Sequence, residues 1–201
     1  MRAAALSLLL LCGCQAFKPV VSTPPTVYSL VTPRDSVAPA QPAIAGPTLI
    51  VTPPHAAAGF DSRRMMYLRQ ADELEYFAHN EWVDTPARML APLIVTAVES
   101  SGAFRAVVNT PSPAAGEMRL DTEVLRLRHE FQGAPSRVRF TLRAYLVESA
   151  TRKVIASREF EAVIPSASDD PHGGVVAANS AVQSVLGELS AFCAETARNR
   201  R

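Results

Sequence analysis

The chain has 201 residues, with twenty Lys and Arg against nineteen Asp and Glu, a formal charge of +1. That length suits a single domain with a real hydrophobic core, and so balanced a charge gives no field for holding nucleic acid. Three cysteines cannot supply a disulfide framework once the N-terminal pair is accounted for below, so the core must hold the fold.

Met1-Arg2 is followed by the apolar run Ala3 to Leu11 and by Cys12-Gly13-Cys14. A basic start, a short apolar stretch and small residues before a cut are the parts of a secretory signal. About nine apolar residues fall far short of the roughly 20 that span a bilayer as a helix. Leu11-Cys12-Gly13-Cys14 resembles the lipobox of bacterial lipoproteins, in which the signal is cut before a cysteine that carries lipid. Residues 1–13 are therefore expected to be removed and Cys14 to become the anchor. Cys12 is the weaker choice because bulky Leu11 precedes it. Two acyl chains already hold a protein stably, at about 0.8 kcal/mol per buried CH₂, so diacylglycerol plus an amide-linked palmitate-like chain is permanent attachment. Removing Arg2 with the signal leaves nineteen basic residues against nineteen acidic ones. Cys193 is then left without a partner.

Residues 14–47 hold Pro19, Pro24, Pro25, Pro33, Pro39, Pro42 and Pro47 and read as an extended tether, at roughly 3.1 Å per residue. Within it, Val27 to Val31 is β-prone and is expected to form a short first strand. Residues 48–201 read as one α+β domain. Thr48 to Val51 is a strand ended by Pro53-Pro54, and Met65 to Arg69 with Leu74 to Ala78 flank Ala71-Asp72 as a hairpin. Asp84-Thr85-Pro86 opens a helix carrying Met89, Leu90, Leu93, Ile94, Ala97 and Val98 at helical spacing. Gly102 closes that segment, Pro92 lies inside it, and Phe104 to Val108 returns to strand.

Three long strands follow. Met118, Leu120, Thr122 and Val124 share one face of the first, and the phase then flips to Leu125, Leu127 and Phe131, which one extra residue at Val124-Leu125 would repair as a β-bulge. Val138, Phe140, Leu142, Ala144 and Leu146 point inward on the second strand, and Val154, Ala156, Phe160, Ala162 and Ile164 on the third. From Asp170-Pro171 onward, Ala178, Val182, Val185, Leu186, Leu189, Phe192 and Cys193 make an amphipathic helix of about twenty residues. One-sided alternation with two helices implies a two-layer α+β sandwich, a mainly antiparallel sheet with both helices on one face.

Chemistry is sparse. His55, His79, His129 and His172 show no metal-ligand spacing, and no nucleophile elbow, phosphate loop or His-Glu-x-x-His is present. His129 falls on an apolar face, where a satisfied core histidine is the plainer reading. His172-Gly173-Gly174 at a helix entry offers either an anion site or simple flexibility. Nothing favours an enzyme, a cofactor other than the covalent lipid, or a metal. Arg119, Arg126, Arg128, Arg137, Arg139 and Arg143 crowd one exposed sheet face that Asp121, Glu123, Glu130 and Glu148 share. That face is either solvated and laced with cross-strand pairs, or a docking face for a partner or for phospholipid head groups. Trp82 reads as a core hub, and Cys193 as a small hydrophobe.

Tyr28-Ser29-Leu30, the strand ending near Pro53, Gly59-Phe60-Asp61, Met65-Met66-Tyr67, Leu74-Glu75-Tyr76, Glu81-Trp82-Val83-Asp84-Thr85-Pro86 and Val176 to Ala181 together resemble the auxiliary lipoproteins of ABC-type transport systems. These accompany transporters with an MCE (mammalian cell entry) domain subunit. The resemblance implies a non-enzymatic subunit of envelope phospholipid trafficking, partnered by an MCE-domain protein and by the membrane through the anchor. It leaves a homo-oligomer open. A lipoprotein chaperone of an outer-membrane machine, of the lipopolysaccharide-insertion type, is the competing reading. Gln15 after Cys14, where Asp would signal inner-membrane retention, implies the outer membrane facing the periplasm.

Overall fold

The computed structural model describes residues 24–31 and 43–200, so the signal and Cys14 lie outside the described residues. In chain order the elements are strands β1 (Thr26–Tyr28), β2 (Thr48–Val51), β3 (His55–Ala56), β4 (Arg64–Leu68) and β5 (Leu74–Trp82), helix α1 (Pro86–Glu99), strands β6 (Ala106–Asn109), β7 (Met118–Glu130), β8 (Arg137–Glu148) and β9 (Val154–Pro165), and helix α2 (Pro171–Arg198). The strands make one sheet and the two helices pack on one of its faces, α1 against α2 and α2 across β8 and β9. This is the expected α+β sandwich.

The sheet is organised around β7. One edge of that strand pairs antiparallel with β8 along its length, and β8 pairs antiparallel with β9. The other edge is shared in tandem by three short parallel partners: β2 at Met118 to Leu120, β3 at Glu123 and Val124, and β4 at Arg128 to Glu130. From there the sheet forks into a β2–β6 arm and a β4–β5–β1 arm. The long pairings are antiparallel, and each parallel one spans only two to four residues.

The folded domain begins before residue 48. β1 pairs with β5 at Asn80 to Trp82, Leu30 is buried in the core, and the Val31 N–H donates to Asn179 Oδ1 on α2 at 2.9 Å. Residues 24–31 are therefore a strap laid across both layers.

The β7 bulge is present: the register with β8 shifts between Val124 and Arg126. The extra residue is Leu125 itself, so the core face resumes at Leu127 and passes to buried His129. Leu125 is half-buried and outside the core cluster, which corrects its expected inward placement. A second shift between Leu146 and Val147 throws Val154 outward, 57% exposed, while Ile155 packs against the core. β5 likewise carries extra residues between Tyr76 and Glu81 relative to β4, which lets both Phe77 and Trp82 reach the core side.

α1 starts at Pro86 with Thr85 as N-cap, and ends at Ser100, whose N–H bonds back to Thr96 O. Gly102 at φ 62° then takes the left-handed turn. α2 runs for 28 residues, longer than its stripe suggests, and Asp170 caps it by accepting from the Gly173 N–H at 2.7 Å. Leu90, Ile94 and Val98 of α1 interlock with Val182, Val185, Leu186 and Leu189 of α2 over Leu120, Phe140, Leu142 and Phe160. At about 25 cal/mol per Å² of apolar area removed from water, this is where the fold draws its stability.

Candidate functional site: an arginine-rich sheet face

The face of the sheet away from the helices carries the charges. Register across β7, β8 and β9 sets Arg128 beside Arg139 and Val163, Glu130 beside Arg137 and Pro165, and Glu123 beside Arg143 and Glu159. Alternation brings the six arginines to this one face, because Leu120, Val124, Leu127, Phe140 and Leu142 must all point the other way.

Most of them are not free. Glu130 is 2% exposed and receives Arg139 at 2.8 Å, Arg128 at 2.9 Å and Arg137 at 3.1 Å. Burial alone would raise the Glu130 pKa, but hydrogen bonds from Arg139, Arg128 and Arg137 overcome it and hold the carboxyl at about 2. Arg139 also reaches Glu161, which in turn accepts from Thr141 Oγ1 at 3.0 Å. Arg143 bridges Glu159 at 3.0 Å and Glu123 at 3.6 Å, and Arg119 closes on Asp121 at 2.8 Å. Arg126, set beside the bulge, has no ion-pair partner among the described residues. Glu148, grouped with this face from the sequence, instead binds Arg200 at the far end of α2. Thr141, which alternation already turns outward, joins the network, whereas Glu159 and Glu161 were missed, because only the β8–β9 register sets them opposite Arg143 and Thr141.

The other reactive groups are structural. His129 is buried, its Nε2 lies 2.8 Å from Ser136 Oγ, and its Nδ1 faces Gly174 with no partner among the described residues. Burial lowers its pKa, and Asp169 and Asp170 only partly offset that. The Ser136 N–H donates to Asp169 Oδ1, so the cluster ties β8 to the start of α2. The first turn of α2 is already occupied by its own Asp170, which leaves the His172-Gly173-Gly174 entry capped from within the chain. Cys193 is fully buried, and burial pushes its thiol up to about 12, which removes any nucleophilic character at neutral pH. Among the described residues no three His, Cys, Asp or Glu cluster as a metal site, and no helix is long and apolar enough to cross a membrane. One small pocket, between Met65, Phe77, Trp82, Leu127, His129, Val138 and Gly174, is about 20 Å³, room for one water and not for an acyl chain.

Residues 28–190 match the family described as ABC-type transport auxiliary lipoprotein component. The chain belongs to this family. Protein XCC0632 from Xanthomonas campestris, a DUF330 structure, is similar to this auxiliary lipoprotein at 26% identity and a TM-score of 0.74, covering 87% of this chain and 98% of its own. Hypothetical protein CT253 from Chlamydia trachomatis shares the fold at 11% identity and a TM-score of 0.53, over 76% of this chain and 98% of its own. An uncharacterised protein shares it at 14% and 0.65, over 85% and 99%. No curated protein matches the sequence.

Proposed function

We propose that this auxiliary lipoprotein is fixed to the periplasmic side of the outer membrane through lipid on Cys14 and acts as a non-enzymatic subunit of an MCE-type phospholipid transport system. The observation that carries the reading is the family match over residues 28–190 in a chain that opens with Leu11-Cys12-Gly13-Cys14. The geometry is in keeping with it. The Ser136–His129 pair is sealed in the core rather than presented in a cleft, and the arginine network engages carboxylates of its own sheet. A protein held permanently by acyl chains cannot ferry cargo as a free carrier, so docking is the role left to it.

Mild detergent extraction followed by affinity capture of the full-length chain tests this. An MCE-domain protein should co-purify. Recovery of an outer-membrane β-barrel assembly partner in its place would move the protein to the chaperone role. Charge reversal at Arg137 and Arg139 is a poor probe of the surface, since both hold buried Glu130 and the fold would fail first. Arg126→Glu leaves that network intact and is the better one.

A further inference from the structure

We propose that one end of the outer sheet face, between Tyr76 and Val163, lies on an anionic phospholipid surface. The inference takes from the proposed function only the lipid anchor, which says that a bilayer is near.

Two outward rows cross the sheet at this end. One runs Tyr76, Met66, Arg128, Arg139, Val163, and the next Leu74, Leu68, Glu130, Arg137, Pro165. Leu74 is 40%, Tyr76 47% and Val163 36% exposed, high values for apolar side chains in a folded sheet. Between and beside them stand Arg64, Arg126, Arg128, Arg137 and Arg139, against Glu81, Glu130 and Glu161: five positive charges to three negative. The other end of the same face has Arg119 and Arg143 against Asp121, Glu123 and Glu159, a slight negative excess. Acidic residues Asp61, Asp72 and Glu73 sit in the bordering loops rather than among these strands. The face is therefore polarised along the strands. Arg64 stands over the Tyr76 ring, its Cζ 4.1 Å from the ring centroid. Neither Arg64 nor Arg126 has an ion-pair partner among the described residues.

Apolar groups at the margins with guanidinium groups in the middle is the reverse of a protein interface, whose centre is depleted of charge and whose rim is polar. It suits a layer of phosphates. Guanidinium groups fork onto phosphate oxygens, while Tyr and Leu side chains at the margin reach beneath the head groups, where Tyr is favoured. The tether permits the pose. It enters the sheet at Thr26, which pairs with Asn80 on β5, the strand that carries Leu74 and Tyr76. From Cys14 the extended chain reaches roughly 37 Å, and Tyr76 lies about 13 Å along β5 from that entry.

The test uses the chain from residue 14 onward with Cys14→Ser, so that acyl chains cannot do the binding, and co-sedimentation with vesicles. It should pellet with phosphatidylglycerol–phosphatidylethanolamine vesicles, release at high salt, and bind pure phosphatidylcholine vesicles far less. Arg64→Glu with Arg126→Glu should weaken binding roughly tenfold or more. Leu74→Ser with Tyr76→Ser should also weaken it, whereas Arg119→Glu at the opposite end should not. Circular dichroism and thermal melts check that each variant is folded. Equal binding to both vesicle types, no binding by the parent chain, or an equal loss in Arg119→Glu overturns the proposal. No transport protein is in the assay, so failure to capture an MCE partner leaves this result standing, and the converse holds.

Discussion

At Glu130 a carboxylate that burial would neutralise stays ionised, because three guanidinium groups surround it. Its folded pKa, about 2, lies below its ordinary 4.5. A depressed carboxylate pKa contributes stability that is complete above the unfolded value and lost as pH falls through the folded one. From 4.5 to about 2 the loss is about 3 kcal/mol. Urea titrations at stepped pH should show that decline, and Glu130→Gln should lack it while losing about 3 kcal/mol at pH 7. An unchanged urea midpoint in the variant would sink the account. His129 carries a second acid dependence. Its pKa is lowered by burial, so below the ordinary 6.5 the unfolded chain binds a proton that the folded chain refuses. Stability from this residue is full above pH 6.5 and falls as pH drops below it. His129→Phe should flatten that part of the profile, read by the same titrations between pH 7 and 5.

Among the elements, those whose signal is local were legible in the sequence. Thr85-Pro86 and Asp170-Pro171 start helices because a proline at the first turn needs no distant partner, and Asp170 adds a side-chain cap of its own. The bulge near Val124 shows as a phase flip in alternation, although which residue is expelled depends on pairing with β8. The short strands β1, β2, β4 and β6 were legible but their parallel pairing was not, and β3 left no trace: it is two residues of His55-Ala56, defined only by Glu123 and Val124 opposite. The carboxylate partners of the arginines were half legible for the same reason. Asp121 and Glu130 lie two residues from Arg119 and Arg128, whereas Glu123 and Glu159 are joined to Arg143, and Glu161 to Arg139, by a register no local pattern encodes. The glycines of α2 also divide by what lies across from them. A Cβ on Gly174 would stand 2.6 Å from His129 Nδ1, and Ser136 holds that ring in place. On Gly187 it would meet nothing within 4 Å. Thermal melts should find Gly174→Ala destabilised by about 1–3 kcal/mol and Gly187→Ala stabilised by about 0.5–1 kcal/mol, since alanine restricts the unfolded chain and favours helix. Equal effects at the two positions would mean that α2 does not pack on His129 as described.

Over the whole molecule, the strap of residues 24–31 sets how the domain would hang from the proposed anchor. Leu30 is buried and Val31 is bonded to Asn179 on α2, so a pull along the tether is borne by both layers of the sandwich rather than by a fraying terminus. Such an arrangement has a use only if residue 14 is held. Lipidation of Cys14 can be tested without reference to any partner, because the peptidase that removes a lipoprotein signal requires the cysteine already modified. Cys14→Ala should therefore leave residues 1–13 attached and the chain without acyl groups. Mass spectrometry of the membrane-extracted wild type should find the N-terminus at Cys14 with diacylglycerol and an amide-linked acyl chain. A wild-type chain cut elsewhere, or acylated at Cys12 instead, would refute the anchor at this position. Density-gradient fractionation of the same preparation reads out location: with Gln15 in the second position the wild type should travel with the outer membrane. Replacing Gln15 with Asp should move it to the inner membrane while the fold, measured by its melting temperature, stays the same.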